Sequence, residues 1–464
     1  MNRIIDIKAI EGTDRMALFG TDGARGVANK DITPRLAMDL GYAGASVLAR
    51  GQNAAKILIA NDSRHSASML EAALAAGICG VGVDVIQAGT IPTPAAAYYA
   101  KAYKMAAAMV SASHNPFEDN GIKFFDNSGF KLDDDAEKEI ERIYNEAARP
   151  PAPVGDKIGR VLPPEEDVER AYIQYLTATL DGDLKGLKIA LDCANGATYK
   201  AAPAVFERLG ADVSVINNTP NGVNINDNCG STHMEGLVDF VKRGNFDLAF
   251  AFDGDGDRCF AVDELGNVVD GDMIMSILAC SMKERGRLAK NTVVTTVMSN
   301  AGFYKMAAEQ DIEAVKVDVG DRYVLKEMLD NGYNLGGEQS GHVIFLDYSS
   351  TGDGILTAIK LAEVCKTKGQ KFSGLNTKMI ALPQVLENAE INNSLTQAVL
   401  ADENVKAQRA GLEKKYEGAG RVLIRASGTQ PLVRITIEGA DKEEIQKEAL
   451  AFKNLLEETA AKLK

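Results

Sequence analysis

Short apolar runs alternate with longer segments of helical periodicity over most of this chain. Runs typical of buried strands are predicted at 56–60, 83–86, 105–110, 187–192, 211–216, 248–252, 292–297 and 313–317. Helices are predicted between them, at 66–76, 94–103, 198–209, 234–243, 272–284, 301–310, 322–329 and 353–365. Ser66 is the expected cap of the first helix. Because strands and helices alternate, the sequence indicates sheets covered by helices.

The pattern changes towards the C-terminus. Strands are predicted at 421–424 and 432–438, followed by a long charged amphipathic helix at 442–463. A proline cluster between Pro150 and Pro164 and a Lys- and Gly-rich stretch at 366–378 mark boundaries. We therefore predict an α/β protein of four domains. Three are similar α/β units with mixed sheets, and the fourth is a smaller α+β domain, with bounds at 1–152, 153–258, 259–370 and 371–464.

Composition narrows the class of protein without identifying it. Of the 464 residues 45% are hydrophobic, and a net charge of −14 without a basic stripe argues against nucleic acid as a partner. No apolar run is long enough to span a membrane, and the N-terminal residues do not resemble a signal peptide. Six scattered cysteines without a Cys-x-x-Cys pair indicate neither a zinc site nor disulfides. We therefore expect a cytoplasmic protein.

The most informative loop is Asp-Gly-Asp-Gly-Asp-Arg, which directly follows the apolar run at 248–252. Its carboxylates, Asp253, Asp255 and Asp257, repel one another unless a cation lies between them. All-oxygen ligands favour magnesium, manganese or calcium, and the adjacent Arg258 suits phosphate. A solvated acidic turn is the plain alternative. A calcium-binding EF-hand requires glycine where Arg258 stands, although Glu264 falls at its twelfth position.

A second polar loop, Ser-Ala-Ser-His-Asn-Pro, follows the apolar run at 105–110. The ends of strands that face a crevice are where α/β proteins place their chemistry. Ser113 and His114 lie side by side there, and Lys123 follows shortly after. A hydrolase nucleophile is one interpretation, but the chain contains no Gly-x-Ser-x-Gly elbow, and a capping or turn serine is the other.

Three further loops combine glycine with polar side chains, and each also has an ordinary turn or hairpin as an alternative. In Phe19–Gly26, three glycines surround Arg25. The loop 336–342 carries short polar groups suited to sugar hydroxyls, namely Glu338, Ser340 and His342. The loop 425–431 offers a phosphate cradle of backbone amides with Arg425, Ser427 and Thr429.

Taken in this order, the loops resemble those of the α-D-phosphohexomutase superfamily, over the chain from about Leu18 to the end. Within it they are most similar to the glucosamine branch, the bacterial phosphoglucosamine mutases. Gln339, in Gly-Glu-Gln-Ser-Gly-His, favours that branch, as do Phe19–Gly26 and the stretch Ser-Thr-Gly-Asp-Gly at 350–354. The resemblance implies four domains around a central cleft.

The resemblance also implies roles for single residues. Ser113 matches the phosphorylated serine, and Asp253, Asp255 and Asp257 match the ligands of one Mg²⁺ ion, which also contacts the phosphorylated Ser113. The implied catalytic set is Ser113, His114, Lys123, Arg258, Arg25 and His342. The implied substrate-binding set is Glu338, Ser340, His342, Arg425, Ser427, Gly428, Thr429 and Arg434. His114, Lys123 and His342 are the candidates for moving the proton of the sugar hydroxyl.

The implied reaction interconverts glucosamine 6-phosphate and glucosamine 1-phosphate. It proceeds through the phosphoserine and a glucosamine 1,6-bisphosphate intermediate, and it feeds UDP-N-acetylglucosamine and cell-wall synthesis. The expected partner is the phosphosugar, with no nucleic acid or membrane, and the protein is expected to be a monomer or homodimer. Ala426 and Gln430 depart from the family pattern, which has proline and glutamate there. Action on glucose or mannose phosphates, a metal-dependent phosphatase and a catalytically silent sensor therefore stay open as alternatives.

Overall fold

A computed structural model describes residues 18–19, 23–51, 55–146, 152–375, 378–426 and 431–463. The chain divides into two compact units. Unit 1 comprises the described residues up to Cys259 together with Asp347–Ile359, and unit 2 comprises Phe260–Leu346 and the described residues from Lys360 onward. Within the described ranges, no helix combines the length and apolar character that crossing a bilayer requires.

The first nine strands are β1 Ala24–Val27, β2 Lys56–Asn61, β3 Asp84–Thr90, β4 Ala106–Val110, β5 Asp119–Phe125, β6 Val161–Leu162, β7 Lys188–Asp192, β8 Asp212–Ile216 and β9 Leu248–Phe252. The accompanying helices are α1 Pro34–Leu48, α2 Ala67–Cys79, α3 Thr93–Tyr103, α4 Asp134–Asn145, α5 Val168–Ala178, α6 Ala201–Arg208 and α7 Glu235–Arg243.

The remaining strands are β10 Cys259–Asp263, β11 Val268–Val269, β12 Thr292–Thr296, β13 Glu313–Val317, β14 Leu335–Gly337, β15 Val343–Phe345, β16 Gln384–Glu390, β17 Arg421–Ala426 and β18 Leu432–Glu438. The remaining helices are α8 Gly271–Glu284, α9 Ala301–Glu309, α10 Asp321–Asn331, α11 Gly354–Lys368, α12 Phe372–Leu375, α13 Asn393–Ala401, α14 Glu403–Tyr416 and α15 Lys442–Lys462.

Unit 1 contains a six-stranded mixed sheet with the order β1-β5-β4-β2-β3-β6. Its β4, β2, β3 and β6 run parallel, and β5 and β1 pair antiparallel at one edge. The edge strand β6 comes from the proline-rich stretch that was expected to be a linker, so part of that stretch belongs to this sheet. A second group of strands, β9-β7-β8, is parallel throughout.

Unit 2 repeats the mixed arrangement and then departs from it. Strand β12 runs parallel to β13 and β14, and β15 pairs antiparallel with β14. The C-terminal strands form the antiparallel sheet β16-β18-β17, whose central strand buries Val433, Ile435 and Ile437 at alternate positions. This alternation is what a strand with one covered face requires. The predicted α/β class with mixed sheets and a smaller α+β C-terminal part is confirmed.

All the strands and helices predicted from periodicity are present, with ends that differ by a few residues. Two local predictions are wrong. Ser66 stands at the start of α2 but makes no capping hydrogen bond, because its hydroxyl accepts one from Asn120 instead. The segment that carries Arg25 is not wholly a loop, since residues 24–27 form β1 and pair with β5.

Helices α1 and α2 pack so closely that their backbones touch. A Cβ atom on Gly77 would lie 2.0 Å from the carbonyl oxygen of Met38, and one on Gly41 would lie 2.3 Å from that of Leu74. No real Cβ contact is this short, so each glycine is required by the approach of the neighbouring helix. The spacing of α1 and α2 therefore depends on the absence of two side chains.

We predict that Gly77→Ala destabilises unit 1 by about 1–3 kcal/mol, because the new methyl group forces the helices apart. Helix propensity alone would favour alanine by about 1 kcal/mol. The matched control is Gly236→Ala in α7, where a Cβ would meet nothing within 4 Å. In thermal and urea unfolding, the midpoint of Gly77→Ala should fall while that of Gly236→Ala stays level or rises. Equal midpoints for the two variants would contradict the close-packing argument.

Candidate active site

The two most informative loops of the sequence meet in unit 1. Strands β4 and β9 are buried along their whole length, and the loops that follow them start at Ser111 and Asp253. The hydroxyl Oγ of Ser113 donates a hydrogen bond to Asp253 Oδ2 at 2.6 Å, and both side chains are buried. Two positions 140 residues apart in sequence are thus in direct contact.

Asp253, Asp255 and Asp257 form a buried cluster of carboxylates. One oxygen from each lies within 4.8 Å of the others. Burial, followed by the charges of Asp257 and Asp255, raises the pKa of Asp253 well above its ordinary value. Like charges this close in a buried site are unfavourable unless cations offset them. The cluster is therefore a site that requires positive charge.

Two side chains supply part of that charge. Lys123, 3% exposed, places Nζ 2.7 Å from Asp255 Oδ2 and 3.8 Å from Asp257 Oδ2. Arg258 Nε lies 3.9 Å from Asp257 Oδ1. Asp255 Oδ2 also accepts from the hydroxyl of Thr93 at 2.6 Å, whereas its buried Oδ1 has no hydrogen-bond partner among the described residues. A buried set of carboxylate oxygens with an unsatisfied acceptor fits a hard divalent cation such as Mg²⁺.

Two glycines allow the acidic loop to wrap this tightly. A Cβ on Gly254 would lie 2.5 Å from the carbonyl oxygen of Ser113, so the loop could not approach the serine with any other residue. Gly256 has φ +74°, in the left-handed region that glycine adopts without strain. The glycines therefore set how close the carboxylates come to Ser113.

The serine loop is held by a buried guanidinium group that sequence reasoning missed. Arg64 is 3% exposed. Its guanidinium donates to the Asp62 carboxylate and to the carbonyl oxygens of Ser113, Asn115, Pro116 and Asp119. Asn226 Nδ2 adds hydrogen bonds to the carbonyl oxygens of Ser113 and Asn115, at 2.9 and 3.0 Å.

These contacts hold Ser113 in an unusual conformation. Its φ is +52°, which is costly for a residue with a Cβ and persists only where the surroundings impose it. The backbone nitrogen of Ser113 donates to Ser111 Oγ at 2.9 Å, and Ser111 Oγ donates to Asp62 at 2.6 Å. A signal for Asp62 and Arg64 was present in the sequence, because both directly follow β2 at the end of a parallel strand.

His114 lies beside the serine, and its Nδ1 is 3.4 Å from Ser113 Oγ. Burial, then the charges of Arg258 and Arg25, lower the pKa of His114 to about 4. The imidazole is therefore neutral at neutral pH. Arg25 stands opposite Gly121 in the pairing of β1 with β5, which brings its charge to this side of the site.

The predicted sugar-recognition residues lie in unit 2, in the hairpin loop between β14 and β15. Glu338 Oε1 accepts a hydrogen bond from the backbone of Gly320 at 3.2 Å. Ser340 has a buried hydroxyl without a hydrogen-bond partner among the described residues. His342 is 3% exposed, and its Nε2 lies 3.6 Å from Asp321 Oδ2. The hairpin alternative is thus correct for the backbone, and the loop still presents polar groups to a pocket.

The predicted phosphate-binding residues are only partly described. Arg425 and Arg434 are directly opposite each other in the pairing of β17 with β18. Burial and the charge of Arg434 lower the pKa of Arg425. Like charges opposite each other destabilise a sheet, and an anion bound between them would remove that cost. The other members of this set, Ser427, Gly428 and Thr429, and the nearby Gln430, lie outside the described residues.

Comparison with known families gives one match for each predicted domain. The four family descriptions are "Phosphoglucomutase/phosphomannomutase, alpha/beta/alpha domain I" at residues 16–150, the corresponding domain II at 170–266, domain III at 270–381 and the C-terminal domain at 386–455. Together they span most of the chain, in the order in which the loops occur.

Individual proteins agree with this assignment. A phosphoglucosamine mutase from Clostridium novyi (strain NT) is 51% identical over 445 residues, covering 96% of this chain and 99% of that protein. In fold, a phosphoglucomutase/phosphomannomutase family protein from Burkholderia thailandensis is similar with a TM-score of 0.79 at 24% identity, covering 96% of this chain and 97% of that one. An N-acetylphosphoglucosamine mutase from Aspergillus fumigatus, solved with GlcNAc-6P and magnesium, has a TM-score of 0.69 at 17% identity, covering 95% and 96%. The chain therefore belongs to the phosphoglucomutase/phosphomannomutase family and, within it, to the phosphoglucosamine mutases.

Proposed function

We propose that this protein interconverts glucosamine 6-phosphate and glucosamine 1-phosphate through a phosphorylated Ser113. The observation that carries the proposal is the contact between Ser113 and Asp253, at 2.6 Å, within a buried cluster of three carboxylates. A serine hydroxyl against such a cluster suits phosphoryl transfer, which is mostly a matter of position and charge. The phosphoglucosamine mutase relative supports the choice of sugar. The product would feed UDP-N-acetylglucosamine synthesis.

The proposed reaction has two transfers of opposite direction. In the first, the free hydroxyl of the bound sugar attacks the phosphorus atom on Ser113. The new bond forms to the sugar oxygen, the bond to Ser113 Oγ breaks, and the hydroxyl proton passes to a base. The glucosamine 1,6-bisphosphate then reorients, and its other phosphoryl group returns to Ser113. Atoms and charge balance, and the serine ends phosphorylated as it began.

The residues of unit 1 have separate tasks in this scheme. Arg64 and Asn226 fix the backbone carbonyl of Ser113, so its Oγ has one position relative to Asp253. Lys123, ion-paired with Asp255 at 2.7 Å, contributes charge as an ammonium group, and Arg258 and Arg25 add to it. A Mg²⁺ ion held by Asp253, Asp255 and Asp257 with Ser113 would supply further positive charge to the phosphoryl oxygens.

His114 is our proposed proton carrier. It is neutral at neutral pH and lies within reach of the Ser113 oxygen, at 3.4 Å. A neutral imidazole has a lone pair that can accept a proton, whereas the ammonium group of Lys123 has none. A base with a pKa of about 4 is weak, so its contribution depends on position more than on basicity.

Unit 2 would bind the substrate. We assign the sugar hydroxyls to Glu338, Ser340 and His342, because Ser340 has a buried hydroxyl available for a ligand. We assign the non-reacting phosphate to the facing guanidinium groups of Arg425 and Arg434, together with Ser427, Gly428 and Thr429. Guanidinium groups suit phosphate because they donate two hydrogen bonds in one plane.

The wider setting is also part of the proposal. All six cysteines are free, which suits a cytoplasmic enzyme. We propose a monomer or homodimer that meets no nucleic acid or membrane. The four domains are proposed at 1–152, 153–258, 259–370 and 371–464.

The first prediction concerns the nucleophile. Ser113→Ala should lower turnover by on the order of 10³-fold or more, because no phosphoserine can form. Intact mass should show one added phosphate on the native protein after incubation with glucosamine 1,6-bisphosphate, and none on the variant. Ser128→Ala, at an exposed turn serine, is the control and should keep both the added mass and the activity. Full turnover by Ser113→Ala would exclude the covalent scheme.

The second prediction concerns the carboxylate cluster. Mg²⁺ at 100 times its dissociation constant should stabilise the native protein by about 2.7 kcal/mol. Asp257→Asn removes one of three repelling charges, so it should unfold at the same or a higher temperature than native protein without metal, yet gain less from Mg²⁺. Thermal unfolding with EDTA and with Mg²⁺ measures both effects, and Asp239→Asn, at an exposed position, is the control. An unchanged gain from Mg²⁺ in Asp257→Asn would place the ion elsewhere.

The third prediction concerns the substrate. The value of kcat/KM should be higher for glucosamine 6-phosphate than for glucose 6-phosphate or mannose 6-phosphate. The phosphate should stay on the sugar, which ³¹P NMR of the reaction follows directly. Release of inorganic phosphate at the same rate would indicate a hydrolase, and preference for a neutral hexose phosphate would assign the protein to another branch of the family.

A further inference from the structure

The pocket beside the sugar-recognition loop in unit 2 is negatively charged. Of the described residues that line it, Asp270 and Glu338 are the charged ones, and both are acidic. Gln339 and Ser340 lie between them, and the other lining residues are neutral. The guanidinium group of Arg421, which bonds to the carbonyl oxygen of Met298 nearby, is ion-paired with Glu438. Such a pocket favours a cationic group over a neutral one.

Asp270 is rigidly placed in this pocket. It is the N-terminal cap of α8, where its Oδ1 accepts from the backbone nitrogen of Met273 at 3.0 Å. The recognition loop packs directly on this helix end, since Gly271 donates to the carbonyl oxygen of Gln339 at 3.0 Å. A Cβ on Gly271 would lie 2.1 Å from the carbonyl oxygen of Glu338. The helix end and the loop therefore form one fixed surface.

The carboxylate also orients a neighbouring amide. Gln339 Nε2 donates to Asp270 Oδ2 at 3.2 Å. A carboxylate accepts hydrogen bonds only, so it selects the amide orientation in which the NH₂ group faces it. The amide oxygen of Gln339 then points away from Asp270 as an acceptor. A negative charge and an oriented acceptor together make a receptor for an N–H cation.

We propose that Asp270 is a specificity-determining residue that, with Gln339, recognises the ammonium group of the amino sugar. This inference rests on the proposed function and adds the group that reads the substrate's charge. Glucose and mannose phosphates carry a neutral hydroxyl in place of the amine, and an N-acetylated amine is neutral and larger. The carboxylate of Asp270 therefore favours the unmodified amino sugar over all three.

The test is the ratio of kcat/KM for glucosamine 6-phosphate to that for glucose 6-phosphate, in native protein and in Asp270→Asn. Asparagine caps helices as well as aspartate, so α8 should keep its start. We expect the ratio to fall on the order of 10- to 100-fold, through the amino sugar alone, with glucose 6-phosphate unchanged within about twofold. Gln339→Leu, which keeps the size but removes the acceptor, should lower the ratio in the same direction.

Asp402→Asn is the matched control, because Asp402 caps α14 in the same way but does not line the pocket. Its ratio should equal that of native protein. Equal losses for both sugars in Asp270→Asn would show that Asp270 acts only as a helix cap and would overturn the inference. An unchanged ratio in both Asp270→Asn and Gln339→Leu would overturn it as well. A native protein that prefers glucose 6-phosphate would instead overturn the proposed function, before any variant is compared.

Discussion

The crowding of three carboxylates against one serine is the constraint on which unit 1 depends. Asp253, Asp255 and Asp257 each have an oxygen within 4.8 Å of the others, and all three side chains are buried. Their repulsion would open the loop unless the fold held it closed and cations offset the charge. Lys123 contributes one positive charge from inside the protein. The remaining imbalance makes the site attractive to a divalent cation and, through it, to a phosphoryl group.

The fold holds the other side of this contact with hydrogen bonds instead of charge repulsion. Arg64 uses its guanidinium group on one carboxylate and four carbonyl oxygens, so no part of the serine loop can shift without breaking several bonds at once. The positive φ of Ser113 is held by this arrangement. An enzyme that transfers a group to and from the same oxygen benefits from such rigidity, because the position of that oxygen must be identical in both directions.

Much of the fold was predictable from the sequence because its strands are short, apolar and well separated. The runs at 248–252 and 105–110 showed both where strands end and which loops carry chemistry. Arg64 and Asn226 were not found, because their role lies in contacts with residues far along the chain, and local periodicity contains no information on these. The edge strand β6 was missed for a related reason, since only its pairing with β3 distinguishes it from a proline-rich linker. The Ser66 cap failed because a long-range partner, Asn120, takes the hydroxyl that the local rule assigns to the helix.

Unit 2 separates its charges in a way that matches an aminosugar phosphate. The facing pair Arg425 and Arg434 is positive, in a protein whose net charge is −14. The pocket of Asp270 and Glu338 is negative. A ligand with an anionic phosphate and a cationic amine can satisfy both regions, whereas a neutral hexose phosphate satisfies only the first. Because the protein as a whole repels anions, the affinity for phosphate must come from a local concentration of guanidinium groups, and selectivity among hexose phosphates must come from the second region.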